Sequence, residues 1–167
     1  LISKISDSLN VSTDQLEEKI FTVIDQVETY SKQIEILEEK LIVQESKSLL
    51  ETIENINGIN LICTTLNASS ANLLRKTGDS LKTHIKSGVI AIGSIINENP
   101  MIIIMVTKDL ADTGVNASEI AKKVSKIMDG GGGGKSEIAQ AGGKSPSKLN
   151  DALSMVSVLI KEYSSNS

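Results

Sequence analysis

Residues 89–106 read VIAIGSIINENPMIIIMV, two apolar runs separated by the four residues NENP. Each run has the length of a strand and is almost continuously hydrophobic, which is typical of strands buried on both faces. The short polar segment between them indicates a tight turn, so the two strands are predicted to pair in antiparallel orientation. The sequence on either side is predicted to supply the helices that cover this pair.

The flanking sequence switches between strand and helix patterns. Residues 59–66, INLICTTL, are short and β-branched, as expected of a strand, and residues 69–88 have the spacing of an amphipathic helix. A second amphipathic helix is predicted over 117–130, with Gly130 as its left-handed C-terminal cap, and a third follows near the C-terminus. The predicted fold class is therefore α/β, with a small mixed-sheet domain of residues 58–167 and helices packed on the sheet.

Ahead of this domain, apolar residues recur at alternating steps of four and three. This is the heptad spacing of a coiled coil, and its members are Leu16, Ile20, Val23, Val27, Tyr30, Ile34, Leu37 and Leu41. Ser12 and Gln15 form an S-x-x-Q capping box at the predicted helix start, and Asn57-Gly58 is predicted to end the helix near Ile56. Residues 1–57 are thus predicted to form a helical coiled-coil subdomain that pairs within the chain or with a second copy. A single helix packed along its own domain is the simpler alternative.

Charge is divided unevenly along the chain. The net charge is −4, but residues 1–57 carry 12 acidic and 5 basic side chains, and the remainder carries a net charge of +3. The C-terminal part is therefore the part suited to an anionic partner. No run of 18 apolar residues indicates a membrane span, and the single cysteine, Cys63, fits the reducing cytoplasm. Without an initiator methionine, the sequence is expected to be a fragment of a longer protein.

The most unusual segment is GGGGGKSEIAQAGG, residues 130–143, and it does not fit a nucleotide-hydrolysing motif. Gly-Lys-Ser occurs at 134–136 and 143–145, but a P-loop needs a leading glycine where this chain has Asp129 and Ile138. The G-x-G-x-x-G fingerprint fails as well. One cysteine and one histidine, Cys63 and His84, cannot form an ordinary zinc site, and no group stands out as a nucleophile. No catalytic and no metal-binding residues are predicted.

The remaining function that the glycine segment could perform is anion binding. Successive glycine N–H groups can line a concavity for phosphate, and lysines surround the run on its own loop and on the adjoining helices. Because these lysines are spread over a surface, nucleic acid is a better candidate than a small anion, although a solvated lysine face beside a structural loop is the simpler alternative. The candidate residues are Gly130, Gly131, Gly132, Gly133, Gly134, Lys135, Gln140, Gly142, Gly143, Lys144, Lys122, Lys126 and Lys148.

The same segment resembles the C-terminal domain of alanyl-tRNA synthetases. That family has a signature close to G-G-G-G-G-[KR]-P-[DE]-M-A-Q-A-G-G, from which this chain departs at Ser136 and Ile138. INGINLI at 56–62, SGVIAIGS at 87–94 and residues 106–124 also fit the family, and the heptad helix matches the helical segment that precedes its DHH-associated globular domain. The resemblance covers residues 57–160.

The resemblance implies a domain that binds the elbow of tRNA(Ala), helps couple aminoacylation with editing, and in some members dimerises the enzyme. A homodimer through residues 12–56 is the corresponding expectation here. ATP, Mg and Zn would be used by other domains of the synthetase, so no cofactor and no enzymatic activity are expected of these residues. The alternative is a nucleic-acid-binding lobe of a DHH-type phosphoesterase or nuclease, where a Gly-Gly-Gly-His motif contacts substrate phosphate; here Lys135 follows the glycines.

Two expectations concern the glycine segment itself. It is predicted to be an ordered loop at an RNA-facing surface, with Lys135 and Lys144 both contacting phosphate. A valine at Gly132 is expected to block RNA while leaving the fold nearly intact.

Overall fold

A computed structural model describes residues 2–165, so Leu1 and residues 166–167, the ends of the two predicted segments, lie outside the described residues. The helices are α1 Ile2–Leu9, α2 Leu16–Leu50, α3 Ala71–His84, α4 Lys108–Asp112, α5 Ala117–Ile127 and α6 Leu149–Ser165. The strands are β1 Glu54–Ile56, β2 Ile59–Thr65, β3 Gly88–Ile96, β4 Asn99–Val106, β5 Gly131–Gly134 and β6 Ile138–Gly142. Short 3-10 turns at Thr13–Gln15 and Pro146–Lys148 precede α2 and α6. The α/β fold class is confirmed.

The chain divides into two compact units, Leu1–Leu41 and Ile42–Ser167. In the first unit the long helix is present, but its predicted capping box is wrong. The Ser12 hydroxyl donates to the Gln15 side-chain oxygen at 3.1 Å and caps no backbone N–H, because a 3-10 turn occupies the first three positions. Most of the heptad residues are exposed, with Val27, Ile34 and Leu37 each more than half accessible. Pairing of this seam, and a domain boundary at residue 57, stay predictions.

The predicted end of the long helix is wrong. The helix α2 stops at Leu50, and residues 54–56 form β1, which pairs antiparallel with β2. Asn57 and Gly58 are the two central residues of the connecting turn, with φ of 49° and 94°. Positive φ at both positions defines the type I′ turn that favours Asn-Gly in two-residue hairpins. The Asn-Gly pair therefore marks a hairpin and not a helix terminus.

The second unit is built on a six-stranded mixed sheet in the order β1-β2-β3-β4-β6-β5. The neighbours β2 and β3 are parallel and are connected through α3, whereas the other neighbours are antiparallel. The opening prediction is confirmed, since β3 and β4 form a hairpin in which Val89 pairs with Val106. Its turn residues, Asn97 and Glu98, have φ of 48° and 64°.

Both faces of the sheet are covered in the middle. On one face α5 and α6 pack over inward-facing side chains such as Ala91, Ile102 and Ile104. On the other face α3 and the last turns of α2 pack over Ile90, Ile92 and Met105. Continuous apolar strands fit this arrangement, because alternate residues enter different cores.

The glycine segment differs from its prediction in two ways. Gly130 is not the left-handed cap of α5; Asp129 takes that conformation, with φ of 56°, and Gly130 N–H donates to Ser125 O at 2.9 Å. The segment after it is a β-hairpin, β5–β6, and not a loop. The strand β5 lies at the edge of the sheet.

Candidate nucleic-acid interface

The glycine edge strand has its backbone register fixed by the hairpin turn. Lys135 N–H donates to Ile138 O at 2.7 Å, which closes the hairpin beside the turn residues Ser136 and Glu137. Hydrogen bonding alternates along an antiparallel pair. The N–H and C=O groups of Gly132 and Gly134 are therefore directed away from β6, at the free edge of the sheet. Such outward N–H groups are donors available to an anion.

The two faces of β5 differ sharply in how much space they leave. On the α5 side, a β-carbon at Gly132 would lie 2.5 Å from Ala121 O. On the opposite side, β-carbons at Gly131 and Gly133 would meet no atom within 4 Å. Gly132 thus lets α5 approach the strand, whereas Gly131 and Gly133 leave the opposite face bare.

The bare face borders a groove of about 430 Å³. The helix α3 packs on β3 and β4 on this side of the sheet, next to the uncovered outer strands. Gly133, Ile138 and Gln140 line the groove, with Lys135 at the turn and Arg75 on α3. Arg75, Lys135 and Gln140 are exposed. The groove therefore combines a backbone surface with two cations and one amide, which are the groups that contact phosphate and base edges.

Arg75 is a candidate that the sequence prediction missed. Its helix carries the basic residues Arg75, Lys76 and Lys82 against one acid, Asp79, a composition that could have signalled it. Lys82 pairs with Glu137 of the hairpin turn, Nζ to Oε2 3.1 Å, which ties α3 to the hairpin.

Of the remaining predicted residues, Gly134 also lines this groove, whereas the other four lysines do not. Lys122 and Lys126 are exposed on α5, which packs on the opposite face of the sheet. Lys144 follows the far end of β6, so that Lys135 and Lys144 are separated by the length of that strand, roughly 17 Å for five residues. The glycine Gly143 is structural, because a β-carbon there would meet Met128.

Lys148 has a structural partner. Its Nζ lies 3.4 Å from Asp129 Oδ2, and the Ser145 hydroxyl donates to the same oxygen at 2.7 Å. The Ser145 hydrogen bond, followed by Lys148, lowers the pKa of Asp129 below its ordinary value. This cluster joins the end of α5 to the start of the last helix.

The expectation that Gly132→Val leaves the fold nearly intact is wrong. The backbone of α5 at Ala121 occupies the space that a side chain on residue 132 would need.

Cys63 lies away from the hairpin, on β2. Its thiol donates to Leu153 O at 3.1 Å, and burial raises its pKa to about 11. Such a thiol stays protonated near neutral pH and is a poor nucleophile. Among residues 2–165, no three His, Cys, Asp or Glu side chains are grouped so that they could hold a metal ion. None of the helices described is long and apolar enough to span a membrane.

Comparison with known proteins assigns the sheet-bearing part of the chain. The family model of the DHHA1 domain matches residues 58–162. The chain belongs to the DHHA1 domain family. The glycine hairpin, α3 and the groove between them all lie inside this DHHA1 domain.

The similarity to curated proteins extends beyond the DHHA1 domain. The alanine–tRNA ligase of Alkaliphilus metalliredigens is 38% identical over 161 residues, covering 96% of this chain and 18% of that protein. The corresponding ligase of Natranaerobius thermophilus is 36% identical, covering 99% of this chain and 19% of that protein. The chain thus spans about a fifth of the length of these relatives.

Two solved structures are similar in fold. The C-Ala domain of Aquifex aeolicus alanyl-tRNA synthetase aligns with a TM-score of 0.59 and 31% identity, covering 65% of this chain and 97% of that one. A DHH-domain member of the s1p family of ribosomal proteins aligns with a TM-score of 0.52 and 16% identity, covering 81% of this chain and 33% of that one. The second likeness concerns the fold alone. The resemblance to the C-terminal domain of alanyl-tRNA synthetase is confirmed.

Proposed function

We propose that this chain is the tRNA-binding C-terminal part of an alanine–tRNA ligase, which binds the elbow of tRNA(Ala) and helps couple aminoacylation with editing. The observation that carries the proposal is the bare glycine face of β5–β6, flanked by Arg75 and Lys135. Similarity to alanine–tRNA ligases along nearly the whole chain supports the choice of tRNA as the nucleic acid.

The chemistry of the groove suits an RNA backbone. Without side chains at Gly131 and Gly133, a sugar-phosphate chain can approach the strand closely. The outward N–H groups at the sheet edge then donate to phosphate oxygens, while Arg75 and Lys135 supply charge. Gln140 is the side chain placed to contact a base edge or a 2′-hydroxyl. Most of the affinity comes from phosphate, so binding is predicted to be strongly salt-dependent.

We assign no catalytic residue to this chain. In this proposal ATP, Mg and Zn act in other domains of the ligase, and these residues contribute tRNA binding in the cytoplasm. The alternative, a substrate-binding lobe of a DHH-type phosphoesterase, draws support from the fold of the DHH-domain protein. It is weakened by Lys135, which stands where that class has a histidine after its glycines.

Self-association is proposed for the N-terminal helix. Val27, Ile34 and Leu37 are exposed along one heptad seam, and burying them against a second copy would remove apolar area from water. Val27→Asp with Ile34→Asp should then shift the chain from dimer to monomer in analytical ultracentrifugation. Glu28→Asp with Glu35→Asp, which changes neighbouring exposed residues outside the seam, is the matched control. A wild-type chain that is monomeric at all concentrations contradicts this part of the proposal.

The function is tested by titrating the chain with tRNA(Ala) and with an RNA duplex of equal length at several salt concentrations. We expect saturable binding to tRNA(Ala) that is tighter than binding to the duplex and weakens steeply with salt, because phosphate contacts release counterions. A phosphodiesterase assay on a short oligonucleotide serves as the second arm. Equal affinity for both RNAs contradicts elbow recognition, and hydrolysis that disappears in a variant of this chain favours the phosphoesterase alternative.

A further inference from the structure

The turn between β1 and β2 carries a chemically reactive sequence. Asn57 and Gly58 are both exposed, and nothing lies within 4 Å of the position that a β-carbon would take at Gly58. Asn-Gly is the dipeptide in which the following amide nitrogen attacks the asparagine side chain with least steric hindrance. We propose that Asn57 is a deamidation site, and that hydrogen bonds around the turn lower its rate of deamidation in the folded protein.

The reaction needs only water. The backbone nitrogen of Gly58 loses its proton and attacks Cγ of Asn57, and the C–N bond of the carboxamide breaks to release ammonia. The cyclic imide that results is then opened by water at one of its two carbonyls. One opening gives aspartate, and the other gives isoaspartate, in which the main chain runs through the β-carbon. The net change exchanges ammonia for water without oxidation or reduction.

The folded turn restrains both reacting groups. Gly58 N–H, whose nitrogen is the nucleophile, donates to Asn55 Oδ1 at 3.1 Å. Asn57 Nδ2, the leaving amide nitrogen, donates to Ser164 Oγ at 3.1 Å. The Asn55 side chain is itself fixed, since its Nδ2 donates to Asn60 Oδ1 at 3.0 Å. Attack therefore requires both hydrogen bonds to break, which happens when the β1–β2 hairpin opens.

Modification would damage the sheet. Isoaspartate adds one methylene to the main chain, and a two-residue type I′ turn has no room for it. Ile56 and Ile59, which pair directly across the turn and are both buried, would lose their register. Opening of the hairpin would thus lead to an irreversible modification of Asn57.

The chain contains a matched comparison. Asn97 and Glu98 form the β3–β4 turn with the same signs of φ, but the residue after the asparagine is not glycine. Within residues 2–165 the Asn97 side chain makes no hydrogen bond like those of Asn57. Glu98→Gly therefore creates a second Asn-Gly turn that lacks the hydrogen bonds restraining Asn57 and Gly58.

The test is peptide mapping by mass spectrometry after incubation at mildly alkaline pH, in buffer and in unfolding urea. We expect Asn57 in the wild-type chain to deamidate several-fold faster in urea than in buffer. Ser164→Ala and Asn55→Ala should each raise the rate in buffer and leave the rate in urea unchanged; Ser164→Ala, at the end of α6, serves if Asn55→Ala fails to fold. In Glu98→Gly, Asn97 should react faster than Asn57 in buffer. Three results would overturn the proposal: equal deamidation rates of Asn57 in buffer and urea, no reaction in urea, or unaltered rates in buffer for both Ser164→Ala and Asn55→Ala.

Discussion

Gly132 faces the backbone carbonyl oxygen of Ala121 so closely that a β-carbon on residue 132 would lie 2.5 Å from that oxygen. One residue further along, Gly133 faces open space on the other side of the strand. The glycine run therefore performs two tasks at once. It lets α5 approach the edge strand, and it leaves a side-chain-free surface beside Arg75 and Lys135.

This relationship predicts effects of very different size at adjacent glycines. Gly132→Val should lower the free energy of unfolding by roughly 3 kcal/mol, since α5 or β5 must shift to accommodate it. Gly133→Ala should change it by less than about 1 kcal/mol, because the added methyl group meets no atom and reduces the freedom of the unfolded chain. Urea denaturation of both variants measures the difference, and similar stabilities would refute the close packing of α5 on Gly132.

The β3–β4 turn offers a stabilising substitution. Glu98 has φ of 64°, a left-handed conformation that disfavours an L side chain, and its side chain is exposed. Glu98→Gly should raise the free energy of unfolding by on the order of 1 kcal/mol, because glycine adopts this conformation without strain. Glu98→Ala, which keeps a β-carbon, is the control, and its free energy of unfolding should not rise. A thermal melt in which the glycine variant is no more stable than the alanine variant contradicts this interpretation of the turn.

Asp129 predicts a pH dependence of stability. The Ser145 hydroxyl and the Lys148 ammonium group lower its pKa, so the charged form is favoured in the folded state. Its contribution is fully present above the ordinary carboxyl pKa and is lost as the pH falls through the lowered folded value. Asp129→Asn retains a residue that tolerates left-handed φ, and should be less stable than wild type at neutral pH. In urea melts over a range of pH, the difference in the free energy of unfolding between wild type and Asp129→Asn should disappear in acid. A difference that stays constant down to strong acid would show that the Asp129 carboxylate is not its cause.

Sequence patterns predict the buried strands because these are nearly continuous apolar runs of strand length, and they predict the covering helices because these have strong amphipathic periodicity. The glycine strand lacked such a signal, since a side-chain-free strand shows no alternation and its place depends on how closely α5 packs. The sequence predicts that Asn57-Gly58 ends a helix because Asn and Gly are common at helix C-termini, whereas pairing with β2 draws residues 54–56 into the sheet. Arg75 and Lys135 are far apart in sequence, and only the strand order, with β6 next to β4, brings them to one groove.

The most direct test of the central claim, that RNA binds the glycine face beside α3, compares two charge reversals in a salt-dependent titration with tRNA(Ala). Arg75→Glu with Lys135→Glu changes the groove, and Lys122→Glu with Lys126→Glu makes the same charge change on α5, at the opposite face of the sheet. The groove pair should weaken binding at least tenfold, with a salt slope shallower by about 2, roughly one for each phosphate that is no longer neutralised. The α5 pair should have a much smaller effect. Unchanged affinity and slope in the groove pair, or an equal weakening in the α5 pair, would contradict the claim.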